Sequence, residues 1–319
     1  MKLLTITLFL QLFLVGFLSA QNKDLTPAEL EKLKHPVHSA LFKVEGKGLT
    51  KPSYLFGTIH LGDPRLTTLH PTAEKAFQSA DHFYGEVDPD PAKMLGMARM
   101  MMRTDGTTLS KSIGPDLTKK LNTFLKGVNP AFGSSVFDSM KTWVMIVQLP
   151  VLQLQMEGKE PLDMVLYERA KKAGKTLGGL ETIESQLMIF NDLDEKDQVI
   201  MLDYTLDMLA DDEKNGKNAT LEMLNTYLSK DLPELGAFVK KSMKLDDDVD
   251  KEIKDLNDRF IKKLLDDRNV KMADAIAGLL EKQKGDTHFF AVGAAHYVGP
   301  TAIQKFLTKK GYTVTPLFK

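Results

Sequence analysis

The sequence has no cysteine in its 319 residues, so disulfide frameworks, thiolate nucleophiles, thiolate metal ligands and a lipid-bearing cysteine are all excluded. It also lacks a surplus of either charge. Lys and Arg number 42 against 43 Asp and Glu, a net charge of −1. A nucleic-acid partner calls for a basic face, and none is expected here. There is no phosphate-cradling glycine loop, no Gly-x-Ser-x-Gly elbow and no His-Glu-x-x-His helix. Those absences set aside the commonest signatures of nucleotide binding, serine hydrolysis and a helix-borne zinc site. Tryptophan occurs once, as Trp143 among Val144, Met145 and Ile146, a context that reads as core packing.

Long apolar runs are missing too, apart from Leu3–Phe17 at the start, which is interrupted by Gln11. With Lys2 before it and Leu18-Ser19-Ala20 after it, this stretch reads as a signal peptide over 1–20, cut after Ala20. No basic stop-transfer flank follows, so no transmembrane segment is expected in the mature chain, 21–319. A cysteine-free exported protein fits a periplasmic or secreted location.

What the sequence does have is one phrase written twice. Tyr54-Leu55-Phe56-Gly57-Thr58-Ile59-His60-Leu61-Gly62-Asp63-Pro64 is an apolar strand ending in a glycine-lined turn, with His60 at its carboxyl end. His288-Phe289-Phe290-Ala291-Val292-Gly293-Ala294-Ala295-His296 repeats the pattern near the other terminus. A single Gly-x-x-His is no more than a turn with a histidine. Two copies, each after an apolar strand, predict that His60 and His296 meet in one site.

Around these phrases the chain alternates. A hairpin is expected over 40–45 and 53–59, a helix over 71–80 and a strand over 81–88. That order predicts a βαβ-like unit with Glu86 beside His60 if their strands are parallel neighbours. From Pro91 the spacing turns helical, with expected helices over 91–102, 115–126, 132–148 and 161–173 and through most of 185–280. One short strand interrupts them at 175–180. The end returns to strand, Gly-x-x-His, helix and strand. The expected fold class is α/β, with mixed sheets. Amino- and carboxyl-terminal segments combine into one core, and 91–265 forms a mainly helical insertion or lid.

Imidazole serves as metal ligand or general base near neutral pH, which makes His60 and His296 the leading candidates. Glu86 can act as third ligand, orienter of an imidazole or activator of water. Its alternative is a solvated carboxylate capping an element. Glu181, in Gly179-Leu180-Glu181-Thr182, follows a strand as Glu86 does. Arg268 is a candidate anion contact, or else a surface ion pair. The remaining histidines (35, 38, 70, 82 and 288) read as structural or surface residues, His288 as a strand-edge position.

These motifs together resemble the TraB/GumN family, related to the Tiki group of Wnt-directed metalloproteases. The matching signals are Leu55–Pro64, Glu86, Gly179–Thr182 with Gln186, Arg268-Asn269 with Met272-Ala273, Val292–His296 and Lys310–Val314. The resemblance implies a shared centre on His60, His296 and Glu86, with Glu181 and Arg268 in or near the cleft. It also implies a divalent metal ion (Mn, Co or Zn) and a peptide or small-molecule substrate. Erythromycin esterase-like and haem-handling proteins are more distant relatives, so the resemblance supports a common pocket more than a common reaction. Tyr297 stands where the second corner often has leucine. The expected function is divalent-metal-dependent hydrolysis of a peptide or related acyl bond. Two alternatives are a metal-independent esterase-like hydrolase and a non-enzymatic periplasmic protein that binds peptide, metal or haem.

Overall fold

A computed structural model describes residues 40–152, 160–229, 231–245 and 249–318. The expected signal peptide, the helix beginning near Pro27, His35, His38 and the acidic run at 246–248 lie outside the described residues.

Six strands, β1 (Leu41–Glu45), β2 (Ser53–Thr58), β3 (His82–Gly85), β4 (Thr176–Gly179), β5 (His288–Gly293) and β6 (Thr313–Pro316), form one sheet in the order β4-β3-β5-β2-β1-β6. β4, β3, β5 and β2 run parallel, while β1 is antiparallel to both β2 and β6. The two ends of the chain thus share one mixed sheet, as expected. The expected neighbour relation differs, because β5 lies between β2 and β3. His60 and Glu86 therefore approach from either side of the second Gly-x-x-His strand.

β5 is buried at all six positions, as suits a strand with neighbours on both edges and cover on both faces. Its period-two alternation sends Phe289 and Ala291 into one apolar cluster with Phe56, Phe77 and Phe83, and Phe290 and Val292 into another with Leu55, Ile276 and Leu307. His288 opens this central strand, fully buried, so the strand-edge expectation is corrected.

The helices, in chain order, are α1 (Pro71–Ser79), α2 (Pro91–Met101), α3 (Leu109–Val128), α4 (Thr142–Gln148), α5 (Leu162–Lys172), α6 (Ile183–Asn191), α7 (Glu195–Lys214), α8 (Ala219–Ser229), α9 (Leu232–Met243), α10 (Lys251–Ile261), α11 (Asp267–Lys282) and α12 (Ile303–Lys309). Among the described residues, none is long and apolar enough to cross a membrane. The helices of the middle region bury their own core around Trp143, Leu187, Phe190, Leu202 and Phe260. The expected helix over 132–148 is broken into a short 3-10 turn (Ser134–Phe137) and α4. Asp138 is the cause. Its carboxylate accepts from the backbone and hydroxyl of Ser110, and its carbonyl accepts from Leu109, so it is committed to the start of α3. The short strand expected at 175–180 is present in the middle region as edge strand β4.

Candidate functional site

Parallel strands present their carboxyl ends on one side of a sheet, the usual position for ligands in α/β folds. Here β4, β3, β5 and β2 deliver Glu181, Glu86, the Gly293–His296 corner and His60 to that side, in sheet order. The structure brings together all five residues singled out from the sequence.

The two glycines of the repeated phrase explain how closely the corners meet. Neither has a positive φ, so neither is there for a tight turn. A Cβ on Gly57 would stand 3.0 Å from Ala40 Cβ and 3.1 Å from both Cα and Cβ of Ala294, in the other corner. A Cβ on Gly293 would stand 3.1 Å from Glu86 Oε1 and 3.3 Å from His60 Nε2. Glycine serves close approach in both places.

Glu86 is the hub. Its Oε1 accepts from the Gly293 backbone N–H at 2.7 Å and lies 3.5 Å from His60 Nε2 and 3.8 Å from His296 Nε2. Its Oε2 accepts from Arg268 Nη2 at 2.5 Å and from Gln186 Nε2 at 3.3 Å. Arg268 also donates through Nε to Glu181 Oε2 at 2.9 Å and through Nη1 to the Leu264 carbonyl at 3.3 Å. Leu264 lies in a π-helical turn, Lys262–Asp266, that leads into α11. Removing one partner from so buried an ion pair typically costs about 3–5 kcal/mol, because a charge is left uncompensated.

The imidazoles are held from behind. His296 donates Nδ1–H to Asn269 Oδ1 at 2.6 Å, which leaves the Nε2 lone pair facing Glu86. His60 Nδ1 lies 3.1 Å from Asp163 Oδ1, in ion-pair range but without hydrogen-bond alignment. Burial is the largest influence on the Glu86 carboxyl and would raise it, yet the Arg268 guanidinium foremost, with His60 beside it, holds it well below its ordinary value. Burial lowers His296 to about 3, with Arg268 and His60 adding to the effect against Glu86. For His60, burial acts downward but the Asp163 and Glu86 carboxylates prevail, lifting it to about 10.

Two imidazoles and a carboxylate are donor types that divalent ions take. Ligands about 2.1 Å from a tetrahedral ion stand roughly 3.4 Å apart, close to the spacings between Glu86 Oε1 and the two Nε2 atoms. Among the described residues, buried His60 Nε2 has no hydrogen-bond partner. Each imidazole has an oxygen behind its Nδ1, the usual arrangement for metal-bound histidine. Among the described residues, however, no group of three or more His, Cys, Asp or Glu is placed so that it could hold a metal ion. Access is one-sided. The side chains of His60 and Asp163 are 13% and 28% exposed, whereas Glu86, Glu181, Arg268 and His296 are at most 5% exposed.

Asp163 was not singled out from the sequence, and Gln186 and Asn269 stood there only among the family-matching signals, without a role. Gln186 occupies the buried stripe of α6 with Ile183, Leu187 and Phe190, and Asn269 that of α11 with Met272, Ala273 and Ile276. A polar residue at a core position of an amphipathic helix was the available signal. Asp163, in the first turn of α5, gives no such signal, because acids are ordinary there.

A family model described as the TraB/PrgY/gumN family matches residues 40–316. Metalloprotease TIKI1 of Danio rerio is 26% identical over 301 residues, covering 82% of this chain and 60% of the relative. Metalloprotease TIKI2 of the same organism is 25% identical over 316 residues, covering 87% and 61%. Metalloprotease TIKI1 of Homo sapiens is 23% identical over 301 residues, covering 82% and 59%. The chain spans about three-fifths of the length of these curated relatives. No solved structure matches it.

Proposed function

The chain belongs to the TraB/PrgY/gumN family, and from that premise we propose that it is a divalent-metal-dependent hydrolase of a peptide or related acyl bond. The observation that carries this reading is the convergence of His60 and His296 on the same oxygen of buried Glu86.

His60, Glu86 and His296 would hold a divalent ion of the manganese, cobalt or zinc class. When bound, such an ion polarises a carbonyl and makes water a nucleophile near neutral pH. The chain's own residues prepare that centre. Arg268 keeps Glu86 ionised and fixes its Oε2, so that Oε1 faces the imidazoles. Asn269 sets the His296 tautomer, and Asp163 stands behind His60. Because Arg268 is committed to Glu86, Glu181 and Leu264, it acts on substrate through Glu86 rather than by touching it. Glu181 shares that positioning role. Substrate, a peptide or a small acyl compound, enters over His60 and Asp163, the more exposed side chains of the cluster. The leader read at 1–20 makes a periplasmic or secreted setting part of this proposal.

A second reading is metal-independent hydrolysis. It is favoured by the stacking of Asp163, His60 and Glu86 in sequence, at 3.1 and 3.5 Å, an array that can orient an imidazole without an ion. The two readings separate in one experiment. Purified protein is assayed on peptide and ester panels before and after exhaustive chelation, alongside H60A and H296A. The first reading expects activity to vanish on chelation, return with Mn, Co or Zn, and fall at least about 100-fold in either variant. Turnover indifferent to chelation selects the second reading, and cleavage that survives both substitutions removes the site assignment.

A further inference from the structure

Gln186 is buried on α6, 1% exposed, behind Glu86. Its Nε2 donates to Glu86 Oε2 at 3.3 Å and to Glu181 Oε2 at 2.9 Å. Arg268 grips the same two oxygens from its own side, at 2.5 and 2.9 Å. Arg268, Glu86, Gln186 and Glu181 thus close a ring of four charged or polar groups in which each carboxylate Oε2 receives both a guanidinium and an amide proton. Gln186 Oε1 is buried without a protein partner among the described residues. The amide cannot exchange its ends, because that would set Oε1 against two carboxylates and leave them without its protons. A methionine or leucine would fill the same space without burying an unmatched acceptor. Packing alone therefore does not account for an amide here.

We propose that Gln186 is a positioning residue: it ties Glu86 to Glu181 so that Glu86 cannot rotate, which directs Oε1 at Gly293 N–H and the two imidazoles. Two carboxylates sharing one arginine repel each other, and with only the guanidinium on Oε2 the Glu86 carboxylate can pivot about that contact and strain the Oε1 bond from the Gly293 N–H. A second donor at a different angle removes that freedom while adding no charge. A glutamate at 186 would have the shape but not the protons, and a lysine would neutralise the charge that Glu86 carries towards His60 and His296. Amide chemistry is the one that supplies two donors and leaves the charge of the cluster unchanged.

The geometry of this inference stands by itself, whereas its consequence for catalysis rests on the hydrolase reading above. The test uses Q186M, which keeps volume without donors, and Q186E, which keeps shape but opposes two carboxylates. The first readout is amide hydrogen exchange at Gly293 in the ion-free full chain, since that N–H is bound to Glu86 Oε1. Exchange at Gly293 is expected to speed up at least about tenfold in both variants, with Phe290 in the same strand and the melting temperature of Q186M close to wild type. The second readout is Mn²⁺ affinity by calorimetry, expected to weaken about 10–100-fold. Where a turned-over substrate is found, kcat falls while KM holds. Wild-type protection of Gly293 in a folded Q186M or Q186E overturns the proposal. If the wild-type protein binds no ion, the metal reading fails while the exchange measurement still decides the role of Gln186.

Discussion

At the scale of single residues, the site is built as much by missing atoms as by functional groups. Gly293 has no side chain, and the space it leaves holds Glu86 Oε1 and His60 Nε2 within 3.1 and 3.3 Å of where a Cβ would stand. Glu86 cannot give way freely, because it is fixed by Arg268, Gln186 and the Gly293 N–H itself. G293A is therefore expected to fold, with a melting temperature within a few degrees of wild type, since one methyl at a strand end is a modest insertion. Activity should fall about 10–100-fold, because a shift of a few tenths of an ångström misaligns the oxygen and the imidazole on which the chemistry depends. Circular dichroism and steady-state kinetics on the same preparation check both halves. A fully active G293A would mean that this close approach has no functional consequence. The sequence disclosed much at this scale. His60, His296, Glu86, Glu181 and Arg268 all stand in the cluster, because the repeated phrase and the acids after strands are local features. Gln186 and Asn269 stood among the family-matching signals without a role, and locally they show as polar interruptions of apolar stripes. Asp163 was invisible, because its partner lies a hundred residues away along the chain and its local context is an ordinary helix start.

At the scale of elements, the segments after β3 and β4 run side by side and set the position of Glu86. Leu180 N–H donates to the Gly85 carbonyl at 3.0 Å, and Glu181 N–H to the Glu86 carbonyl at 2.8 Å. Gly179 makes this contact possible: a Cβ there would lie 2.5 Å from Asp88 N and 2.7 Å from the Val87 carbonyl carbon. Those are backbone atoms, so no rotamer change relieves the clash, and the two segments must separate. G179A is expected to destabilise the protein by about 1–3 kcal/mol and to abolish activity, read by urea denaturation and turnover. G127A in α3 is the control, because nothing lies within 4 Å of its Cβ and its φ is ordinary. It should be neutral or slightly stabilising. Equal losses in both variants would show that the β3–β4 contact is not special. Element types were largely readable from periodicity, down to the short strand at β4. Strand order was not. An apolar run says that a strand is covered on both faces, but the identity of its neighbours depends on contacts between residues some 200 positions apart, as in the pairing of Phe56 with Ala291. Hence the sequence allowed β3 beside β2, whereas β5 fills that place. Helix breaks were similarly hidden where, as at Asp138, the breaking residue is used by another helix.

At the scale of the whole molecule, two apolar faces and a helical core enclose several histidines whose ionisation is tied to folding, and this makes the acid limb of stability informative. His288, at the start of β5, is neutral by construction. Its Nε2–H donates to Gln283 Oε1 at 3.0 Å, and its Nδ1 accepts from Ser53 Oγ at 3.3 Å. The ring stacks on His82 at 4.7 Å and on Phe290 at 5.6 Å, with Tyr84 beyond at 6.0 Å. Burial is the main reason that its pKa falls to about 4, and neighbouring His82 adds to the effect, while Asp286 and Asp81 oppose it. Between pH 6.5 and 4 the unfolded chain therefore binds a proton at this position that the folded chain refuses. Stability is complete above the unfolded value and declines as pH falls through this window, with a slope of at most about 1.4 kcal/mol per pH unit for one such group. His296, lowered to about 3, contributes with the same sign. His60, raised to about 10 in the ion-free protein, contributes in the opposite sense: its stabilisation is complete below its unfolded value and declines as pH rises from there to about 10, so it is silent in the acid window. Glu86, held well below its ordinary value, enters only under more acidic conditions. H288F keeps the aromatic stack and removes the titration. Its urea midpoint should therefore depend less steeply on pH between 6.5 and 4.5 than the wild-type midpoint, without becoming flat, because His296 remains. Identical slopes for the two proteins would show that His288 takes up its proton as readily in the folded chain as in the unfolded one, and that the β3–β5 histidine stack has no part in the acid stability of the sheet.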